Sequence, residues 1–200
     1  MGMTRQLLAF NRTQVMGPRA LDLSVVVANL DQSLKRIAGE HIQLRYVWAR
    51  PLPPVQANSG LLEQVLRNLV VNARNAMPHG GQLVITTAAV KIDGASAHRH
   101  SAACSGQFVC LEVADTGTGI TPGLLPRMFE PSITTQDRNM RTERGLLSVY
   151  KIVQQHQGWI NVSSHVGTGT TVRILLPAIP PHAASVLSPQ KVSTLPWDHR

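Results

Sequence analysis

The 200-residue chain is short of several things. It has 2 cysteines, Cys104 and Cys110. That is too few for a disulfide framework, and the second pair that a zinc site would need is missing. A reducing compartment is therefore expected, with the cytoplasm as the location. No apolar run approaches the roughly 18 residues of a membrane-spanning helix. The N-terminal stretch MGMTRQLLAF has neither a long apolar segment nor a small-residue cleavage site, so no secretory signal is expected. Aromatic residues make up 4% of the chain, which leaves few platforms for stacking single-stranded bases. Acids are scarce as well: 11 Asp and Glu against 19 Lys and Arg leave a net charge of +8. Such a balance favours anionic partners. The cations are scattered, however, through Arg12, Arg19, Lys35, Arg36, Arg45 and Arg50 rather than gathered in a block, so no nucleic-acid partner is expected.

What is present is the composition of a globular protein, with 43% apolar and 15% charged residues. The length suits one domain with an addition, or two very small ones. Apolar periodicity predicts helices over 4–16, 21–37, 60–77 and 145–157. Asp22 or Ser24 starts the second, Gly39 closes it, and Asn58 or Ser59 caps the third. Alternation predicts a strand over 41–48, and 82–92, 108–114, 159–164 and 170–176 also read as strands. Residues 93–107 read as a hairpin loop, 115–119 as a glycine turn, 122–129 as a short helical piece and 130–144 as a loop. The Pro/Ser-rich end reads as a frayed tail.

Two features suggest chemistry. On the third helix, Leu62, Val65, Leu66, Leu69, Ala73 and Ala76 share one face, and Asn68, Asn72 and Asn75 form a stripe at its edge. Asparagine is a poor helix-interior residue because its side chain competes for backbone hydrogen bonds. A carboxamide oxygen is also a hard, neutral ligand suited to a Mg²⁺ ion whose other ligands are waters and phosphates. On the helix alone, a polar edge satisfied by neighbouring loops is the simpler reading. The second feature is Asp115-Thr116-Gly117-Thr118-Gly119, which follows an apolar strand. A partly desolvated carboxylate there can accept from an exocyclic amine such as adenine N6, and the glycines permit close approach of a flat ring. In isolation an ordinary Asp-Gly turn is the simpler reading.

Taken in order, the segments resemble the GHKL (Bergerat-fold) ATPases. Asn68-Leu69-Val70-Val71-Asn72-Ala73-Arg74-Asn75-Ala76 resembles the N box, and Asp115-Thr116-Gly117-Thr118-Gly119 the first glycine box. Phe129-Glu130-Pro131 with Thr134-Thr135 resembles the F box. Gly145-Leu146 and the helix after it resemble the end of the second glycine box, and Gly167-Thr168-Gly169-Thr170-Thr171-Val172 the closing hairpin. Order and spacing are similar to the catalytic domain of sensor histidine kinases over about residues 40–177.

The resemblance implies an α+β fold. This would be a two-layer α/β sandwich with a mixed, mostly antiparallel sheet and helices on one face, preceded by a short helical segment. It implies residues 1–38 as a partial dimerisation-type segment and linker, 39–178 as the ATP-binding domain and 179–200 as a tail. It implies ATP and Mg²⁺ as cofactors. Asn72 would be the metal ligand, Asn68 would assist near the phosphates, and Asn75 would be a further cofactor-binding residue. Asp115 would accept from adenine, Thr170 would share its water network, and Gly117 and Gly119 would admit the base. Gly145 and Leu146 would be cofactor-binding residues at the end of the second glycine box, and a lid over 131–144 would close over the triphosphate. The catalytic residue stays open. The implied reaction is transfer of the γ-phosphoryl group to a histidine in a two-component phosphorelay. No histidine followed by an acid lies on a helix near the N-terminus, so the expected partners are a histidine-bearing dimerisation module or a response regulator, with a homodimer possible.

The chain departs from the family pattern in its second glycine box. Arg141-Thr142-Glu143-Arg144-Gly145-Leu146 stands where Gly-x-Gly-x-Gly-Leu is usual. Glycines there let backbone N–H groups wrap phosphates. Glu143 at about 5 Å from a phosphate charge would cost about 3 kcal/mol at an effective dielectric of about 20, or simply favour the start of a helix. Arg141 and Arg144 are guanidinium partners that could offset it. In the lid, Ser132-Ile133 and Gln136 stand where the family has paired Phe residues and a Lys. The alternative to an active kinase is a pseudokinase, a nucleotide-binding or interaction module without transfer. Three lesser expectations remain: His98-Arg99-His100 as a solvated loop, His156 and His165 at element ends on the surface, and Trp159 packing the last hairpin against the sheet.

Overall fold

The structure, a computed structural model, describes residues 17–92, 105–129 and 140–180, with the backbone alone for 127 and 140–144. In chain order the elements are β1 (Arg19–Leu21), α1 (Leu23–Asn29), α2 (Asp31–Ala38), β2 (Ile42–Trp48), β3 (Val55–Ala57), α3 (Ser59–Ala76), β4 (Gly81–Ile92), β5 (Gly106–Asp115), α4 (Met140–Gln155), β6 (Trp159–His165) and β7 (Gly169–Pro177). A 3₁₀ turn at Leu125–Arg127 lies where the short helical piece was expected.

Five strands form one sheet in the order β2-β4-β5-β7-β6. Strand β2 runs parallel to β4, and every other pair is antiparallel. The pleat of the strands sorts their side chains between two faces. Leu83 and Ile85 of β4, Val109, Leu111 and Val113 of β5, and Val172, Ile174 and Leu176 of β7 share the core with α3 and α4. Burying a side chain of this size contributes about 1.5–3 kcal/mol, so this face is a substantial part of the driving force for the two-layer arrangement. The mixed, mostly antiparallel sheet with helices against it is the expected fold class. On the opposite face the rings of Phe108 and Trp159 meet at 4.7 Å and 59°, and Cys110 is a buried free thiol beside them.

The single helix expected over 21–37 is interrupted. Leu21 pairs with Val55 in the small β1–β3 sheet. Asp22 then caps α1, its carboxylate accepting from Ser24 N–H at 2.8 Å. Leu30 separates α1 from α2, with φ −94° and ψ −5°. The break lets Leu23, Val26 and Val27 on one piece, and Leu34 and Ala38 on the other, enter the core that α3 occupies. Residues 23–38 thus pack in the same core as the sheet. Gly39 ends α2 at φ +84°, a left-handed conformation that favours glycine.

Helix α4 starts at Met140, not at Gly145, so five residues expected in the lid are helical. Residues 140–144 contain no glycine or proline, and nothing in their propensity stops the helix from extending backward. Beyond β7, Ala178 N–H donates to the Gln107 carbonyl at 2.9 Å and Ile179 N–H to the Pro54 carbonyl at 2.8 Å. The helix expected over 4–16, the His98-Arg99-His100 loop, Cys104, most of the lid and the tail from 181 lie outside the described residues. Among the described residues no helix is long and apolar enough to cross a membrane.

Candidate functional site

Helix α3 organises the site. Asn58 caps it, accepting from Leu61 N–H at 3.2 Å. Leu62, Val65, Leu66, Leu69, Val70 and Ala73 are buried. Their packing fixes the rotation of the helix and so aims the asparagine stripe. Asn68, Asn72 and Ala76 are spaced four apart and follow one line of about 12 Å along the helix.

The three asparagines separate in space. Asn68 Nδ2 donates to the Gly145 carbonyl at 3.4 Å. Asn72 lies under the same stretch of α4: a Cβ built on Gly145 would stand 3.3 Å from Asn72 Oδ1. Both polar atoms of the Asn72 carboxamide are buried, and neither has a hydrogen-bond partner among the described residues. Asn75 faces solvent. A buried amide with no partner costs roughly 1–3 kcal/mol. Packing would be served better by alanine, so this carboxamide is not explained by the fold.

At the other end of the line, the glycine turn closes on Ala76. A Cβ on Gly117 would come within 2.7 Å of both Ala76 Cβ and the Ala76 carbonyl oxygen, and Thr118 N–H donates to that carbonyl at 2.9 Å. Gly119 sits at φ +70°, and a Cβ there would overlap the His165 carbonyl. The protein's own packing therefore demands both glycines, whatever approaches from outside. Thr116 serves the fold as well, its hydroxyl accepting from Gln82 N–H at 3.0 Å.

Asp115 ends β5. Its Oδ1 accepts from Gly117 N–H at 2.9 Å and from Thr170 N–H at 3.3 Å. Among the described residues these hydrogen bonds fall on Oδ1, which leaves Oδ2 as an acceptor. Burial pushes the carboxyl pKa up, and the two N–H bonds partly oppose that rise. Across the sheet Leu83, Asp115, Thr170 and Ser164 are successive partners in one row. Leu83 belongs to the core, so the whole row lies on the helix-facing side. Three polar residues end a face whose buried positions are mostly apolar, Thr87 being a buried exception.

The structure thus brings Asn68, Asn72 and Gly145 together at one place on α3, and Asp115, Gly117, Gly119 and Thr170 together at the end of the same helix. Leu146 is 6% exposed and lies in the core, beneath the site rather than in it. Two residues were missed. Ser164 has a readable signal: it alternates in step with Ile160 and Val162, at an inward position where a polar residue is out of place. His156, expected on the surface, is half-buried. Its Nδ1 lies 2.7 Å from the Ile152 carbonyl, and Asn58 N–H donates to its Nε2 at 3.0 Å. That pair of bonds fixes the neutral Nδ1–H tautomer and ties the end of α4 to the cap of α3.

Among the described residues no group of three or more His, Cys, Asp or Glu could hold a metal ion. Any cation at Asn72 would bind through a neutral amide oxygen and the oxygens of another ligand, a donor set that fits Mg²⁺.

Comparison with known proteins shows the family. The family model described as histidine kinase-, DNA gyrase B-, and HSP90-like ATPase matches residues 57–180. Sensor kinase CckA of Brucella abortus is 43% identical over 177 residues, covering 88% of this chain and 19% of that protein. Full-length ShkA, solved in complex with AMPPNP, is similar with a TM-score of 0.60 and 26% identity, over 80% of this chain and 31% of that one. The nucleotide-free catalytic domain of histidine kinase ThkA shares the fold, with a TM-score of 0.60 and 21% identity over 82% of this chain and 97% of that one. This chain spans 19% to 34% of the length of the first curated relatives it matches.

Proposed function

We propose, on the premise that the chain belongs to the histidine kinase-, DNA gyrase B-, and HSP90-like ATPase family, that it binds ATP with Mg²⁺ and transfers the γ-phosphoryl group to a histidine of a partner chain. It would act as the catalytic module of a two-component phosphorelay. The observation that carries this reading is the Asn72 carboxamide, buried and without a partner among the described residues.

In this reading Asp115 accepts the exocyclic amine of adenine on Oδ2, while Oδ1 stays held by Gly117 and Thr170. Asn72 offers Oδ1 to the cation and Nδ2 to a phosphate oxygen, and Asn68 stands beside it. When bound, Mg²⁺ neutralises part of the triphosphate charge. The protein's share is positioning and electrostatics, because phosphoryl transfer asks for little else. The bond between the γ-phosphorus and its bridging oxygen breaks, a P–N bond forms to the acceptor imidazole, and ADP leaves. The acceptor comes from a histidine-bearing dimerisation module, with a response regulator downstream. The decisive experiment supplies such a module and labelled ATP: phosphohistidine on the module supports the reading, and its absence despite ATP binding refutes the transfer step.

One observation favours a second reading. The helix from Met140 commits its backbone N–H groups from residue 144 onward to intrahelical bonds, where a glycine-rich box would turn them toward phosphate. A module that binds nucleotide without transferring it, acting by docking to a partner, follows from that. Nucleotide binding without phosphohistidine is its signature.

A further inference from the structure

Three hydrogen bonds meet at Ser164 Oγ. Ile120 N–H donates to it at 2.8 Å, the Gly169 carbonyl lies at 3.1 Å, and Thr170 Oγ1 lies at 2.9 Å. One hydroxyl proton serves them. Ile120 N–H is a donor, and a carbonyl only accepts, so the Ser164 proton goes to Gly169. The Thr170 hydroxyl must then donate to Ser164. Thr170 itself is 8% exposed.

We infer that Ser164 is a positioning residue that sets base selectivity by turning the Thr170 hydroxyl proton away from the ligand. Thr170 Oγ1 then presents lone pairs only, in the same cross-strand row as Asp115, whose carboxylate also only accepts when ionised. Two acceptors side by side suit the 6-amino group of adenine. They repel the 6-oxo oxygen of hypoxanthine or guanine, which needs a donor. Remove the Ser164 hydroxyl and the Thr170 proton is released to donate outward, which is the bond a 6-oxopurine lacks. The same hydroxyl also clamps the glycine turn through Ile120, and the backbone bond from Gly167 N–H to the Thr118 carbonyl at 2.8 Å keeps that turn attached without it.

This inference rests on the nucleotide-binding reading above, and the test separates the two. Dissociation constants for ATP and ITP are measured on the chain, on S164A and on S164T, with thermal unfolding as the control for folding. For S164A the preference for ATP over ITP is expected to fall about tenfold, the size of one mismatched hydrogen bond. S164T keeps a hydroxyl and is expected to restore the preference. A purely structural serine would weaken both nucleotides alike and leave their ratio unchanged, and that result overturns the inference. Failure of the unsubstituted chain to bind ATP overturns the nucleotide-binding reading instead, and the inference with it.

Discussion

Replacing Asp115 by asparagine tests the base end of the site, because it changes charge and donor character with almost no change of shape. Oδ1 accepts from Gly117 and Thr170, so the asparagine oxygen must take that place; flipping the amide would aim its NH₂ at two N–H groups. The NH₂ then replaces Oδ2 and faces the adenine amine, donor against donor. A hydrogen bond to a charged group, about 1.5–3 kcal/mol, is lost, and an unpaired donor, about 1–3 kcal/mol, is added. Together these weaken adenine-nucleotide binding by roughly 10²–10⁴-fold. Stability moves the other way. Burial holds the Asp115 pKa above its ordinary value, so the folded chain takes up this proton at a higher pH than the unfolded chain does. Ionisation at neutral pH therefore costs folding free energy, and that cost is relieved as pH falls through the raised pKa. Asp115→Asn removes the charge, so the expected melting temperature is unchanged or higher. Nucleotide affinity of the parent chain is expected to fall with pH in that same window, as the acceptor is protonated. Calorimetric titration and thermal melting check both halves. Binding within threefold of the parent would refute the assignment, and so would loss of binding accompanied by an equal loss of stability.

Asn72→Ala is expected to keep or raise stability to urea, because it removes an unpartnered buried amide, and to abolish the gain that Mg²⁺ brings to nucleotide binding. Loss of folding would mark Asn72 as structural. Glu143→Gly is expected to tighten ATP binding by up to about a hundredfold, the equivalent of about 3 kcal/mol of like-charge repulsion; an unchanged dissociation constant would show Glu143 held away from the phosphates. His156→Ala removes the acceptor of Asn58 N–H and the bond to the Ile152 carbonyl and is expected to cost about 1–3 kcal/mol in urea unfolding. An unchanged midpoint would dissolve the tie between α3 and α4.

Much of this arrangement is legible from residue pattern because local physics decides it. Strand β2 alternates apolar and polar residues over 42–46, and the boxes along α3 and β5 lie on regular elements. What was not legible is non-local. Leu21 joins a three-residue strand whose partner Val55 lies far along the chain, and nothing in a window around residue 21 reveals that pairing. Val70 lies outside the predicted core face, yet it is completely buried, because α1 and α2 fold over α3 and widen its apolar arc. The role of Gly117 depends on where the end of α3 lies, and the role of His156 on a backbone N–H of another helix. Ser164 could have been found: an inward-facing serine between apolar neighbours is an anomaly that alternation exposes.

The central claim is that α3 and the end of β5 bound a site for an adenine nucleotide and its metal ion. Its most direct test is calorimetric titration of the chain with ATP, with and without Mg²⁺. Saturable binding that Mg²⁺ strengthens is the predicted result, and the absence of saturable binding under both conditions would contradict the account.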